Sequence, residues 1–128
     1  MFNYKVFLLA GTLCGALGVV LGAFGAHALR RTLTPELLSA YQTGVLYQLI
    51  HALALIAVAL TARELAGPLL TAAGISILAG IVLFSGSLYI LSLTGIRFVG
   101  IITPIGGVAF IVGWLLFFAA AWNSQGPL

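Results

Sequence analysis

The chain has 128 residues, of which 62% are hydrophobic and only 5% are charged, and its mean hydropathy is +1.25. So few polar residues cannot provide the surface of a soluble domain, and we expect an integral membrane protein. The net charge of +3 comes from five basic residues scattered between apolar segments, a pattern that argues against a nucleic-acid-binding surface.

The first apolar segment, Val6 to Leu29, contains five glycines at intervals of four, three, four and three residues. They are Gly11, Gly15, Gly18, Gly22 and Gly25. This spacing places all five on one stripe of a helix. In a bilayer, small residues let another backbone approach closely. The stripe therefore predicts that helix 1 is the buried spine of a bundle and that the glycines form its packing surface.

Three further apolar segments follow, separated by turns that contain arginine. Thr34-Pro35-Glu36 combines an N-cap residue, a proline at the first helical position and an acidic first turn, so helix 2 is expected to begin near Pro35. We predict one all-α domain, residues 1–128, with four transmembrane helices in a compact bundle. The expected spans are about 6–29, 35–62, 69–93 and a last span that ends near 122.

The start of the last span has two interpretations. A single helix from Phe98 would contain Pro104 in its interior and bend there. Alternatively, Thr103-Pro104 repeats the start signal of Thr34-Pro35, and the segment from Pro104 to Trp122 is just long enough to span. We favour the second interpretation, in which residues 98–102 lie along the interface.

The two halves of the chain share an order of features. Leu17 to Leu21 resembles Ala79 to Leu83, and behind each segment lies a Thr-Pro pair followed by an Ala-aromatic pair and a glycine. Duplication of a helical hairpin would explain this order, with the halves related by an axis along the membrane normal. Chance similarity between apolar segments is the alternative.

Polar residues inside apolar spans indicate packing or functional roles. The candidates for a polar cluster are His27, Tyr47, Gln48 and His51. In an antiparallel hairpin of helices 1 and 2, counting back from the loop puts His51 near the depth of Gly18 and Gly22. A neutral imidazole can satisfy itself there with one donor and one acceptor. We therefore expect His51 to remain neutral, because no span contains an acidic residue.

Helix 2 carries a stripe of residues at helical spacing, namely Tyr41, Gly44, Gln48 and His51. The glycine stripe of helix 1 forms a groove without side chains, which we call the glycine groove. If the stripe of helix 2 lies in this groove, Gln48 and His51 hydrogen-bond across the contact, at about 0.6 kcal/mol each. The alternative makes both residues pathway groups of a small oligomeric transporter or channel. Such pathways usually contain an intramembrane Asp or Glu, whereas Glu36 and Glu64 fall in turns. The packing role is therefore favoured.

No residue pattern predicts catalysis, a cofactor or a metal site. Two distant histidines without a nearby carboxylate or thiolate pair are poor evidence for a metal. Cys14 stands alone in the sequence and is expected to be a packing residue. Ser85 and Ser87 have no base on their own helix, so their hydroxyls are expected to bond backbone carbonyls.

The arginines at the loops are candidates for contact with lipid headgroups. Arg30, Arg31 and Arg97 share one side of the predicted bundle, against Lys5 and Arg63 on the other. The α-amino group adds one positive charge to the side of Lys5 and Arg63, so both sides carry three positive charges. The positive-inside rule therefore leaves the orientation open. Ordinary lipid anchoring is the expected role of the three arginines, and a specific anionic lipid or ligand pocket is the alternative.

Several segments together resemble a known family. They are residues 22–29 (GAFGAHAL), Tyr47-Gln48 with His51-Ala52-Leu53, residues 83–89 (LFSGSLY) and residues 103–107 (TPIGG). In this order they resemble the YgdD-like family of small four-helix membrane proteins, classed as a domain of unknown function. The resemblance implies the four-helix fold and a bacterial inner membrane. It implies no activity.

These observations favour a small, multi-pass membrane protein that is not an enzyme. We expect a packing or accessory protein that contacts the lipid bilayer and associates with itself or with a larger membrane complex, and no nucleic-acid partner. The small-residue stripes and apolar surfaces are the strongest signals for this interpretation.

Overall fold

The computed structural model describes residues 1–127 and contains four helices long and apolar enough to cross a membrane. They are α1 (Lys5–His27), α2 (Pro35–Leu60), α3 (Pro68–Thr94) and α4 (Ile102–Trp122). The middle of α3, Ile81–Ser85, is π-helical, and a 3₁₀ turn, Arg97–Ile101, precedes α4. The four helices pack together, which confirms the all-α, four-helix membrane fold.

Short, defined turns connect the helices. The Thr34 side chain accepts a hydrogen bond from the Leu37 N–H at 3.3 Å, with Pro35 at the first helical position. A 3₁₀ turn, Leu29–Arg31, joins α1 to α2, and a single helical turn, Ala62–Leu65, follows α2. Gly95 ends α3 in the left-handed conformation at φ 72°, where a side chain would be strained.

The start of α4 differs from both interpretations of the sequence. The α-helix begins at Ile102 after the 3₁₀ turn, so Pro104 lies in the first helical turn and not at the first position. Proline is tolerated in the first turn of an α-helix. Thr103 lies inside the helix and does not cap it, and its hydroxyl pairs with the Ser87 hydroxyl on α3.

The helices form two hairpins, α1 with α2 and α3 with α4, and α2 packs on α3 between them. Over the most apolar 18 residues of each span, 44% of the residues of α2 and 39% of those of α3 are buried. The corresponding share is 17% for α1 and for the last span. The prediction that helix 1 is the buried spine is therefore wrong. The glycine groove accepts one neighbour along its length, and most of the rest of α1 faces outward.

The largest apolar cluster lies in the half of the bundle near the termini. Phe7 of α1 packs against Gly74 of α3, and Leu55, Leu70 and Ile77 are fully buried beside it. A smaller cluster of Leu29, Tyr41 and Val45 closes the other end of the α1–α2 hairpin.

The matched positions of the two halves make different contacts. Gly18 faces Gln48 and Leu49, whereas its counterpart Gly80 faces Phe110. The sequence match pairs Phe110 with Tyr41. Tyr41 lies two helical turns from Gln48 and contacts Gly25, not Gly18. Duplication of the hairpin therefore stays a prediction.

Candidate functional site

Three glycines of α1 form a close helix contact with α2. Gly11, Gly18 and Gly25 are buried and repeat every seven residues. A Cβ added to Gly11 would lie 2.8 Å from the Ala52 carbonyl oxygen, and one added to Gly18 would lie 2.6 Å from the Leu49 side chain. A Cβ at Gly25 would overlap the Tyr41 ring. A side chain at Gly11 would therefore have to displace the α2 backbone, whereas one at Gly18 or Gly25 would have to displace the Leu49 or Tyr41 side chain.

The other two glycines of the predicted stripe contribute less. A Cβ at Gly22 would meet only Val45, at 3.3 Å, and a Cβ at Gly15 would have no atom within 4 Å. The prediction that all five glycines form the contact is wrong at Gly15. Residues four apart are offset by about 40° on a helix, so Gly15 and Gly22 lie at the edge of the groove.

Gln48 connects three helices. Its side-chain Nε2–H donates to the Cys14 carbonyl of α1 at 2.9 Å, and its Oε1 accepts from the Tyr89 hydroxyl of α3 at 2.6 Å. The Gln48 side chain is 5% exposed. Both ends of the amide are thus paired inside the membrane, where an unpaired polar group costs several kcal/mol.

His51 is also paired at both ring nitrogens. Its Nδ1 lies 2.7 Å from the Tyr47 carbonyl, and its Nε2 accepts a hydrogen bond from the Trp114 indole N–H of α4 at 3.0 Å. An indole N–H can only donate. Nε2 must therefore carry the lone pair and Nδ1 the proton, which fixes one neutral tautomer of the imidazole.

Aromatic rings surround this histidine. The imidazole stacks on Phe110 with centroids 3.5 Å apart, and Tyr47 packs on Phe84 with centroids 4.6 Å apart. The cluster lines a groove of about 440 Å³ between α2 and α4, and the lining residues are Tyr47, His51, Phe84, Pro104, Gly107, Val108, Phe110, Ile111 and Trp114. We call it the His51 groove.

The structure separates the polar residues that the sequence grouped together. Tyr47 and His51 lie in the His51 groove, whereas Gln48 faces α1 and α3. The predicted position of His51 in the glycine groove is wrong. A step of three residues falls about 60° short of a full turn, so His51 is rotated from Gln48 toward α4. His27 is exposed at the end of α1 and joins neither site.

Serine hydroxyls join α3 to its neighbours. Ser85 donates to the Gly44 carbonyl of α2 at 2.7 Å. Ser87 donates to the Phe84 carbonyl at 2.9 Å and pairs with Thr103 of α4. A Cβ at Gly106 would overlap the Phe84 backbone, so α4 approaches closely at the π-helical segment. The two serines therefore connect helices.

Sequence reasoning missed three partners, namely Tyr89, Thr103 and Trp114. Tyr and Trp side chains in a membrane usually lie at the interface, whereas the half-buried Tyr89 bonds Gln48, and Trp114, which is 44% exposed, bonds the buried His51. An aromatic N–H or O–H that lies away from water usually finds a hydrogen-bond partner. That rule is the signal that could have linked these residues to the polar positions on α2.

The predicted headgroup arginines divide into two places. Arg30 and Arg31 line a cavity of about 420 Å³ together with Ala26 and His27. Arg97 lies at the start of the 3₁₀ turn before α4 and is exposed. Within residues 1–127, no group of three or more His, Cys, Asp or Glu side chains is arranged to hold a metal ion.

Comparisons with known proteins place the chain in a family. The model of a family described as "Protein of unknown function (DUF423)" matches residues 21–107. The membrane protein YwdK of Bacillus subtilis is 51% identical over 91% of this chain and 96% of its own length. The inner membrane protein YgdD of Escherichia coli is 37% identical over 91% of this chain and 89% of its own length.

A Staphylococcus saprophyticus membrane protein is 46% identical over 88% of this chain and 92% of its own length. No solved structure matches. All three relatives are named UPF0382 membrane proteins, and none of their names states an activity. The four apolar helices and these similarities show that the chain is a multi-pass membrane protein of the DUF423 family, whose function is unknown.

Proposed function

We propose that this protein is a non-enzymatic accessory protein of a bacterial inner membrane, which acts by lateral association with itself or with a larger membrane complex. The observation that carries the proposal is that its intramembrane polar groups are used to join its own helices. Gln48, His51 and Ser85 each bond a neighbouring helix. Within residues 1–127, no buried side-chain N or O atom lacks a hydrogen-bond partner.

The state of His51 supports this assignment. A proton pathway requires a group that gains and loses a proton during the cycle. Protonation of Nε2 would put a second N–H against the Trp114 indole N–H, and neither group could accept from the other. Glu36, in the first turn of α2, lies fifteen residues before His51, about 22 Å away along the helix, which is too far to compensate the charge. The bond to Trp114 thus favours a structural role for His51.

The outer surface is suited to contact with lipid or with another helix. The two peripheral helices expose large apolar side chains on their outward faces, among them Leu13 and Val20 of α1 and Ile111 and Leu115 of α4. Lipid or another membrane helix can cover these faces, since association in a bilayer depends on packing. YgdD is named an inner membrane protein, which supports the same location for this chain.

The test is the mass of the protein after extraction in a mild detergent. The 13.3 kDa chain is expected in a complex whose mass is a multiple of its own or includes defined membrane partners. His51→Gln keeps one donor and one acceptor, so it should preserve folding and the complex, whereas His51→Leu should lose stability. A monomer without partners contradicts the proposal. The proposal also fails if His51→Gln folds normally but abolishes a proton or solute flux that the parent protein supports in liposomes.

A further inference from the structure

A compact group of basic side chains lies where α1 ends. His27 is the last residue of α1, and Arg30 and Arg31 belong to the 3₁₀ turn that follows it. All three side chains are exposed and line one cavity of about 420 Å³, whose fourth lining residue is Ala26. We call it the basic cavity. Among residues 1–127, no carboxylate lines it, so its charged side chains all have the same sign.

The backbone below the basic cavity is held in place. Leu29, between His27 and the arginines, is 8% exposed and packs with Tyr41 and Val45 of α2. Its carbonyl oxygen accepts hydrogen bonds from the N–H groups of Thr32 and Leu33 at 3.1 and 3.0 Å. Because Leu29 is anchored and its carbonyl is bonded, the turn presents Arg30 and Arg31 on the outer surface.

The depth of the basic cavity follows from the length of α1. Its 23 residues extend about 35 Å, slightly more than the roughly 30 Å hydrocarbon core. The end of α1 therefore lies in the headgroup layer of one leaflet. The helix C-terminus carries about half a negative charge, which two permanently charged guanidinium groups exceed. Glu36 and Arg97 lie on the same side of the bundle but do not line the cavity.

We propose that the basic cavity binds the phosphate group of an anionic membrane lipid. Arginine presents a planar set of N–H donors that matches phosphate geometry, and two adjacent arginines with a histidine can surround one phosphate. A zwitterionic headgroup would bring its own cation into a positively charged space, so it binds less well. The depth in the headgroup layer favours a lipid phosphate over a dissolved one. This inference does not depend on lateral association of the protein.

The experiment measures lipid binding to the purified protein in a mild nonionic detergent by native mass spectrometry. Phosphatidylglycerol is expected to bind the parent chain with one tightly held molecule per chain, and phosphatidylcholine to bind more weakly. Each basic residue near an anionic lipid contributes about 1 kcal/mol. The double variant R30Q/R31Q should therefore weaken phosphatidylglycerol binding about thirtyfold.

The matched control is K5Q/R63Q, which removes two exposed positive charges outside the basic cavity. It should change phosphatidylglycerol binding less than threefold. A second measurement needs no variant, since phosphatidylglycerol should raise the unfolding temperature of the parent protein more than phosphatidylcholine does. Three results would overturn the proposal: an equal loss of binding in K5Q/R63Q, equal effects of the two lipids on the parent, or full reproduction of the stabilisation by inorganic phosphate.

Discussion

Adding one methyl group at Gly11 should separate α1 from α2, whereas the same change at Gly15 should not. A Cβ at Gly11 would lie 2.8 Å from the Ala52 carbonyl oxygen, 2.9 Å from Ile56 Cγ1 and 3.1 Å from Leu55 Cβ. The carbonyl belongs to the α2 backbone, so it can move only if the helix moves. Gly15 lies one turn further along the same helix, where a Cβ would meet nothing within 4 Å.

The comparison between the two variants isolates the steric effect. Replacing glycine by alanine in a helix gains up to about 1 kcal/mol of helix propensity, and this gain is the same at both positions. Overpacking a tight contact costs about 1–3 kcal/mol. Gly11→Ala should therefore unfold with a free energy about 1–3 kcal/mol below that of Gly15→Ala. Unfolding in mixed detergent micelles, followed by circular dichroism, measures the difference. Equal stabilities of the two variants would refute the contact.

Two further predictions concern topology and the Gln48 bridge. Four spans place both termini on the same side of the membrane, so reporter fusions at Phe2 and after Trp122 should agree in location, and opposite locations would contradict the fold. Tyr89→Phe removes the hydroxyl that donates to Gln48 and leaves the buried Gln48 Oε1 without a donor, so it should destabilise the protein by about 1–3 kcal/mol. An unchanged unfolding free energy would show that the bond to Tyr89 contributes nothing.

Local signals in the sequence predicted the helices well, because helix starts depend on residues that are near one another in the chain. Thr34 and Pro35 begin α2 as the cap rule requires. Thr103 and Pro104 are the same pair of residue types, yet α4 begins at Ile102 and the Thr103 hydroxyl pairs with Ser87 of another helix. A contact between residues distant in sequence outweighed the local signal.

Rotation about the helix axis was harder to predict than membrane depth. The predicted hairpin of α1 and α2 placed Gln48 opposite the glycine groove, and the Gln48 amide does bond the Cys14 carbonyl there. His51 follows only three residues later but faces Phe110 and Trp114 of α4. Its direction could be worked out only with the position of α4 known, and the sequence contains no pattern that fixes how the two hairpins face each other.

The bond between His51 and Trp114 gives a direct measure of how the hairpins are held together. It joins α2 to α4, which belong to different hairpins, through an imidazole that is 4% exposed. Trp114→Phe keeps an aromatic ring but removes the indole N–H, so Nε2 of His51 loses its donor. A double-mutant cycle with His51→Leu should give a coupling energy of about 0.6 kcal/mol, and at most about 1.7, the range for hydrogen bonds between membrane helices.

Trp122, which is 78% exposed, provides the control, and its change to Phe should show no coupling with His51→Leu. If the coupling with Trp114 is equally absent, the indole does not hold the imidazole, and the argument for one fixed neutral tautomer fails with it.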